Sequence, residues 1–165
     1  MTFEKTPSGT RGARVPAGAN ALIRLVTRVM IKQHRRKGDR FQGLDLMYLT
    51  TVGAKTGQER LTPVAYFPAA DGGWLIVASS AGSARHPSWY HNIAAHPDQV
   101  QVEVAGRHLR VNAEQLEGER REEAWRQITA AQSRYAGYQQ KTDRVLPVIR
   151  LSAAPDSEPP PATSH

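Results

Sequence analysis

Gln99-Val-Gln-Val-Glu-Val-Ala-Gly-Arg-His-Leu-Arg-Val-Asn-Ala-Glu114 is the stretch that decides the fold. Val100, Val102 and Val104 fall on one side of an extended chain and Gln101 and Glu103 on the other. A strand with that period buries one face and wets the other. Ala105-Gly106 then supplies a tight turn, and Leu109 and Val111 continue the alternation to Glu114. The reading is an antiparallel hairpin with one face in a core.

Further strands are predicted on both sides of this hairpin. Leu44 to Val52 is mostly apolar, and Thr62 to Phe67 follows after a polar, glycine-containing loop. Trp74 to Ser79 comes next, joined through Asp71-Gly72-Gly73, and Pro147 to Leu151 forms a last short strand. Six short strands joined by hairpins predict a six-stranded antiparallel sheet that curls into a barrel. Three helices are expected between strands. One enters at Pro87 and is stopped by Pro97, the second spans Glu119 to Ala131 with Trp125 and Ile128 inward, and a short third spans Tyr135 to Lys141. The fold class is therefore mainly β with flanking helices.

Four segments are expected along the chain: a basic disordered tail (1–19), a basic amphipathic helix (20–37), the barrel domain (38–151) and a Pro/Ser/Ala-rich disordered tail (152–165). In the helix, Leu22, Leu25, Val26 and Val29 share one face, while Arg24, Arg28, Lys32 and Arg35 share the other. The net charge of +7 is concentrated there. Residues Met1 to Lys37 carry nine of the 22 Lys/Arg against Glu4 alone, leaving 13 basic and 14 acidic groups elsewhere. A nucleic-acid-binding domain would carry its basic face on the folded body. A basic arm suits an anionic membrane leaflet, at roughly 1 kcal/mol per basic residue near the surface. No apolar run reaches the ~18 residues of a membrane span. With no cysteine, disulfides, thiolate metal sites and a cysteine nucleophile are excluded. A cytoplasmic location is expected, and two readings of residues 20–37 stay open: peripheral attachment to the inner face of the plasma membrane, or packing of the apolar face on the barrel.

The loop from Thr51 to Arg60 carries Gly53, Gly57, Lys55 and Arg60 between two strands, a composition suited to a phosphate or carboxylate. An ordinary solvated hairpin would look the same. Ser79-Ser80-Ala81-Gly82 ends a strand with small residues that let a planar ring approach the backbone. Trp89 and Tyr90 read equally well as core aromatics. His86, His91 and His96 are spaced by five, which turns successive side chains away from one another on a helix, so no metal site is read there. Tyr135 and Tyr138, three apart, share a helix face; their phenols can donate a hydrogen bond or a proton, or simply pack.

Three blocks, taken in order, resemble the deazaflavin-dependent nitroreductase family, the B-type branch of the flavin/deazaflavin oxidoreductases. They are Leu49-Thr-Thr-Val-Gly-Ala-Lys-Thr-Gly-Gln-Glu-Arg-Leu-Thr-Pro63, His86-Pro-Ser-Trp-Tyr-His-Asn-Ile-Ala-Ala-His-Pro97 and Tyr135-Ala-Gly-Tyr-Gln-Gln-Lys-Thr-Asp-Arg-Val-Leu-Pro-Val148. The resemblance implies a split β-barrel that binds coenzyme F420. It implies that Lys55, Thr56, Gly57, Arg60, Thr62 and Pro63 hold the cofactor's phosphate and anionic tail. Ala78, Ser79 and Ser80 would lie along the deazaflavin ring, Trp89 and Asn92 would close its other side, and Tyr135 and Tyr138 would face the substrate. The implied reaction is hydride transfer from reduced F420 to a quinone, enone or nitro-type acceptor, with Tyr138, Ser79 or solvent stabilising or protonating the developing anion. Ser80 stands where relatives can carry a basic residue, and Gln132 where the nitroreductase has a further tyrosine.

Two other readings remain. One keeps the fold and exchanges F420 for FMN. The other is a non-catalytic, F420-binding, membrane-associated protein. The expected partners are a small-molecule electron acceptor and an anionic membrane surface, with no nucleic acid, and the chain is expected to be a monomer or weak dimer.

Overall fold

The computed structural model describes residues 3–13, 40–41 and 43–155. The amphipathic helix expected over 20–37 and most of the C-terminal tail lie outside the described residues. Among the described residues the order is β1 (Arg40–Phe41), β2 (Leu44–Val52), β3 (Glu59–Ala65), β4 (Phe67–Pro68), β5 (Trp74–Val77), α1 (Ser88–Ala95), β6 (Val100–Val104), β7 (Arg107–Gln115), α2 (Gly118–Ala131), α3 (Arg134–Lys141) and β8 (Val148–Ala153). All strand pairs are antiparallel.

The long strands run β3-β2-β6-β7-β8-β5, and β4 continues the row beyond β5. The two ends of this row, β3 and β4, are consecutive in the chain with Tyr66 between them. One bent segment therefore serves both margins, and the sheet curls into the split barrel. The hairpin at 100–115 is as predicted: Val102 pairs with Leu109 and Val100 with Val111. Ala105 and Gly106 both take positive φ, as a two-residue turn requires.

Alternation along the strands separates two cores. Met47, Leu49, Ile76, Val100, Val102, Leu109, Val111, Ile149 and Leu151 fill the barrel with Trp89, Tyr90 and Ile93 of α1. Leu75, Val77 and Val148, on the opposite faces of β5 and β8, pack with Ala124, Ile128, Tyr135 and Leu146. Helices α2 and α3 thus cover the outside of the sheet, while α1 closes one end of its interior. Ile128 is fully buried as expected, and Trp125 is a partly buried neighbour of that outer core.

Two expectations for the termini are corrected. Residues 3–13 are not a mobile tail. They lie extended against the body, with Gly9 N–H donating to Ala84 O at 2.8 Å and Ala13 N–H to Gly82 O at 3.0 Å. The close approach depends on glycine: a Cβ on Gly12 would sit 2.3 Å from Ala84 N. At the other end Ser152 and Ala153 belong to β8, paired with Asn112 and Val111, where the tail was expected to have begun.

Candidate cofactor and active site

The β2–β3 loop is shaped by its own backbone. Gly53 N–H donates to Gln58 O at 2.8 Å, and Gly57, at φ 69°, donates to Gly53 O at 2.9 Å. Lys55 and Thr56 stand exposed at the tip. Asn92 of α1 pins the loop from beneath. Its Oδ1 accepts from Ala54 N–H at 3.0 Å, and its Nδ2 donates to Thr51 Oγ1 at 3.1 Å. Both ends of the Asn92 amide are thereby engaged, and the residue is buried. It orients the loop and does not present a free amide to a ring. Trp89, expected beside it, is buried in the barrel core.

Register places the rest of the loop's flank. Arg60 is opposite Thr51 and Thr62 opposite Leu49, so both point to the face that carries the barrel interior. Pro63, opposite Tyr48, points to the other face. Among the described residues neither Lys55 nor Arg60 is in an ion pair. Two unpaired cations beside a glycine loop, whose Gly57 has open space around it, are a donor set that fits a phosphate or carboxylate.

The second half of the site is the turn after β5. Ser80, Ala81 and Gly82 take φ of 44°, 52° and 83° in succession. Two non-glycine residues in the left-handed region cost about 1–2 kcal/mol each, so something must hold them. Arg144 does. Its Nε donates to Ser83 O at 2.7 Å, Nη1 to Ala78 O at 2.9 Å and Nη2 to Ser79 O at 2.7 Å. From α3, Tyr138 presses against the same turn: a Cβ on Gly82 would lie 2.7 Å from its carbonyl oxygen. Ser79 and Ser80 are half-buried at the surface, whereas Ala78 is fully buried and its N–H donates to Pro147 O. Only the serines of that predicted trio offer side chains to a ligand.

The tyrosines divide. Tyr135 is buried in the outer core, edge-on to Phe67 at 5.5 Å and to Tyr138 at 5.4 Å. Burial, and next the neighbouring Tyr138, push its phenol up to about 12. Tyr138 is the half-buried member, beside the turn and with Lys141 Nζ 5.9 Å from its ring centre.

Several residues tie the site together in roles that the sequence did not suggest. His86 Nδ1 accepts from Arg144 Nη1 at 3.0 Å, and its Nε2 donates to Thr6 O at 2.7 Å. Burial holds the His86 pKa below the usual value, and the Arg144 charge acts in the same direction, against the raising effect of the Thr6 carbonyl. The Tyr90 hydroxyl accepts from Thr6 N–H at 2.9 Å and donates to Gln115 Oε1 at 2.5 Å. Asp143 accepts from the N–H groups of Thr10 (2.8 Å) and Arg11 (3.0 Å) and from the Thr10 hydroxyl. Asp143 and Arg144 lie inside the third sequence block, so the signal was present, but which way each would face was not.

The family model for F420H(2)-dependent quinone reductases matches residues 22–152. The chain belongs to the F420H(2)-dependent quinone reductase family. A quinone reductase of that name from Mycobacterium tuberculosis is 37% identical over 136 residues, covering 79% of this chain and 89% of the relative. A solved F420-H2-dependent reductase (FDR-A) is 40% identical, covers 65% of this chain and 93% of its own, and superposes with a TM-score of 0.58. A second solved relative, described as a domain-swapped dimer, is 34% identical, covers 82% and 100% of the two chains, and gives a TM-score of 0.60. For this member of the F420H(2)-dependent quinone reductases, the family and the split barrel expected from the three sequence blocks therefore stand.

Proposed function

We propose that this protein transfers a hydride from reduced F420 to a quinone, with Lys55 and Arg60 binding the cofactor's phosphate and anionic tail and the Ser79–Gly82 turn lying along its ring. The observation that carries the reading is the pair of unpaired cations on a loop pinned by Asn92. When bound, reduced F420 supplies the hydride, and the acceptor takes one further proton to become the hydroquinone. This chain's part is to hold the anionic tail, present Ser79 and Ser80 at the ring, and place the Tyr138 hydroxyl where it can stabilise or protonate the developing oxyanion. Tyr135, buried and with a raised pKa, supports Tyr138 by packing.

The test is a fluorescence titration with F420 and, in parallel, with FMN, followed by anaerobic oxidation of reduced F420 with a quinone, an enone and a nitroarene. The reading expects salt-sensitive F420 binding, weak FMN binding and fastest turnover with the quinone. Lys55→Ala and Arg60→Ala should each weaken F420 about tenfold and flatten its salt dependence. Preference for FMN would sink the cofactor assignment, and F420 binding without turnover of any acceptor would favour a non-catalytic role.

A basic, amphipathic segment at 20–37 next to an enzyme for lipid-soluble acceptors supports a second proposal, that the protein docks on an anionic membrane surface. Among the described residues no helix is long and apolar enough to cross a membrane. Liposome flotation with and without residues 1–37 tests it; equal partitioning of the two forms would count against it.

A further inference from the structure

We propose that Arg144 is a positioning residue for hydride transfer, whose guanidinium fixes the left-handed turn Ser80–Gly82 in the shape that receives the cofactor ring. The inference rests on the reading of that turn as the ring's resting place. Arg144 is only 3% exposed, and among the described residues it makes no ion pair. A cation taken out of water without an anion is costly, so its place must be justified by what its donors do. They gather the carbonyls of Ala78, Ser79 and Ser83, which flank the turn on both sides. With those three oxygens drawn to one point, the peptide planes between them have to reverse, and Ser80 and Ala81 are carried into the left-handed region. The remaining contact, to His86 Nδ1, fixes the guanidinium plane itself.

The chemistry is specific to arginine. A guanidinium spreads its N–H groups in a plane and reaches three carbonyls in different directions, whereas an ammonium radiates from a single atom. Charge and fork can therefore be separated. Arg144→Lys keeps the charge and loses the fork. Arg144→Ala loses both and leaves a space that free guanidinium can enter.

The experiment reads F420 affinity, KM for reduced F420, KM for the quinone and kcat, beside amide hydrogen exchange at Ser80, Ala81 and Gly82. In Arg144→Lys, exchange at the turn should speed up and F420 affinity should fall at least about tenfold, with the quinone KM unchanged. In Arg144→Ala, millimolar guanidinium should restore cofactor affinity and turn protection, and methylammonium at equal ionic strength should not. If Arg144→Ala does not fold, Arg144→Lys decides alone. A folded Arg144→Lys protein with wild-type cofactor affinity and wild-type exchange at the turn would overturn the proposal. So would equal rescue by methylammonium. Failure of the wild-type protein to bind F420 would instead refute the functional reading, and the exchange measurement would still report whether Arg144 holds the turn.

Discussion

His86 Nδ1 lies 3.0 Å from Arg144 Nη1, an arrangement open only to a ring nitrogen that carries no proton. With Nε2 donating to Thr6 O, the imidazole is held neutral in one tautomer. Its folded-state pKa is lowered, so the unfolded chain takes up a proton as pH falls through about 6.5 while the folded chain does not. Stability should be flat above that value and decline below it. Thermal unfolding from pH 8 to 5 should show that decline, and His86→Gln should make it shallower. An unchanged slope would assign the effect elsewhere. His91, whose pKa burial also lowers, should contribute to the decline in the same direction.

Asn92 joins α1 to the β2–β3 loop and its flank by both ends of its amide. Replacing it with alanine orphans Thr51 Oγ1, in a residue that is itself buried, and frees Ala54 N–H. The expected cost is about 1–3 kcal/mol of stability, seen as a shift of the denaturant midpoint. Cofactor affinity should fall as well, although Asn92 need not touch the ligand. Unaltered affinity in a destabilised variant would show that the loop keeps its shape unaided.

Asp143 secures residues 3–13. The Thr10 hydroxyl first, and the Arg11 N–H next, hold its carboxyl down to about 2. Such a group contributes fully above its unfolded value of 3.8, and the contribution is lost as pH falls through about 2. Asp143→Asn should weaken the grip at neutral pH, and trypsin should cut after Arg11 faster than in the unaltered protein. Equal cleavage rates would mean that Gly9, Gly12 and the Tyr90 hydroxyl hold the segment by themselves.

The two tyrosines should separate in kinetics. Tyr138→Phe is expected to lower kcat about tenfold or more if its hydroxyl meets the developing charge. Tyr135→Phe keeps the ring that packs on Phe67 and should leave kcat within about twofold. The reverse ranking would place the proton donor at Tyr135.

The strands were legible because their alternation is local: Val100, Val102 and Val104 announce a buried face without reference to anything distant. Proline punctuated the first helix equally well, with Pro87 capping α1. Orientation within the site was harder to read. Asn92 and Trp89 were expected to face the ring, yet the Asn92 amide is engaged by Ala54 N–H and the Thr51 hydroxyl, and Trp89 is buried in the barrel core. Tyr135 and Tyr138 were correctly placed on one helix face, but the outer core buries only the first and leaves the second half-buried at its edge. The terminal segment misled because Gly, Pro, Thr and Arg compose a flexible tail and a docked extended one alike. What separates them is the Asp143 carboxylate and the Tyr90 hydroxyl, more than 80 residues away.

The chain from Thr6 through His86 to Arg144 spans sequence separations of 80 and 58 residues. Contacts that distant form late, after loop closure has brought the strands together. During synthesis the barrel's first strands can pair while Arg144 is still inside the ribosome, but the turn at Ser80 lacks its guanidinium clamp until the last strand is nearly made. A nascent chain would therefore close its barrel through β8 and acquire the Arg144 clamp on the Ser80 turn together, as one terminal event of folding.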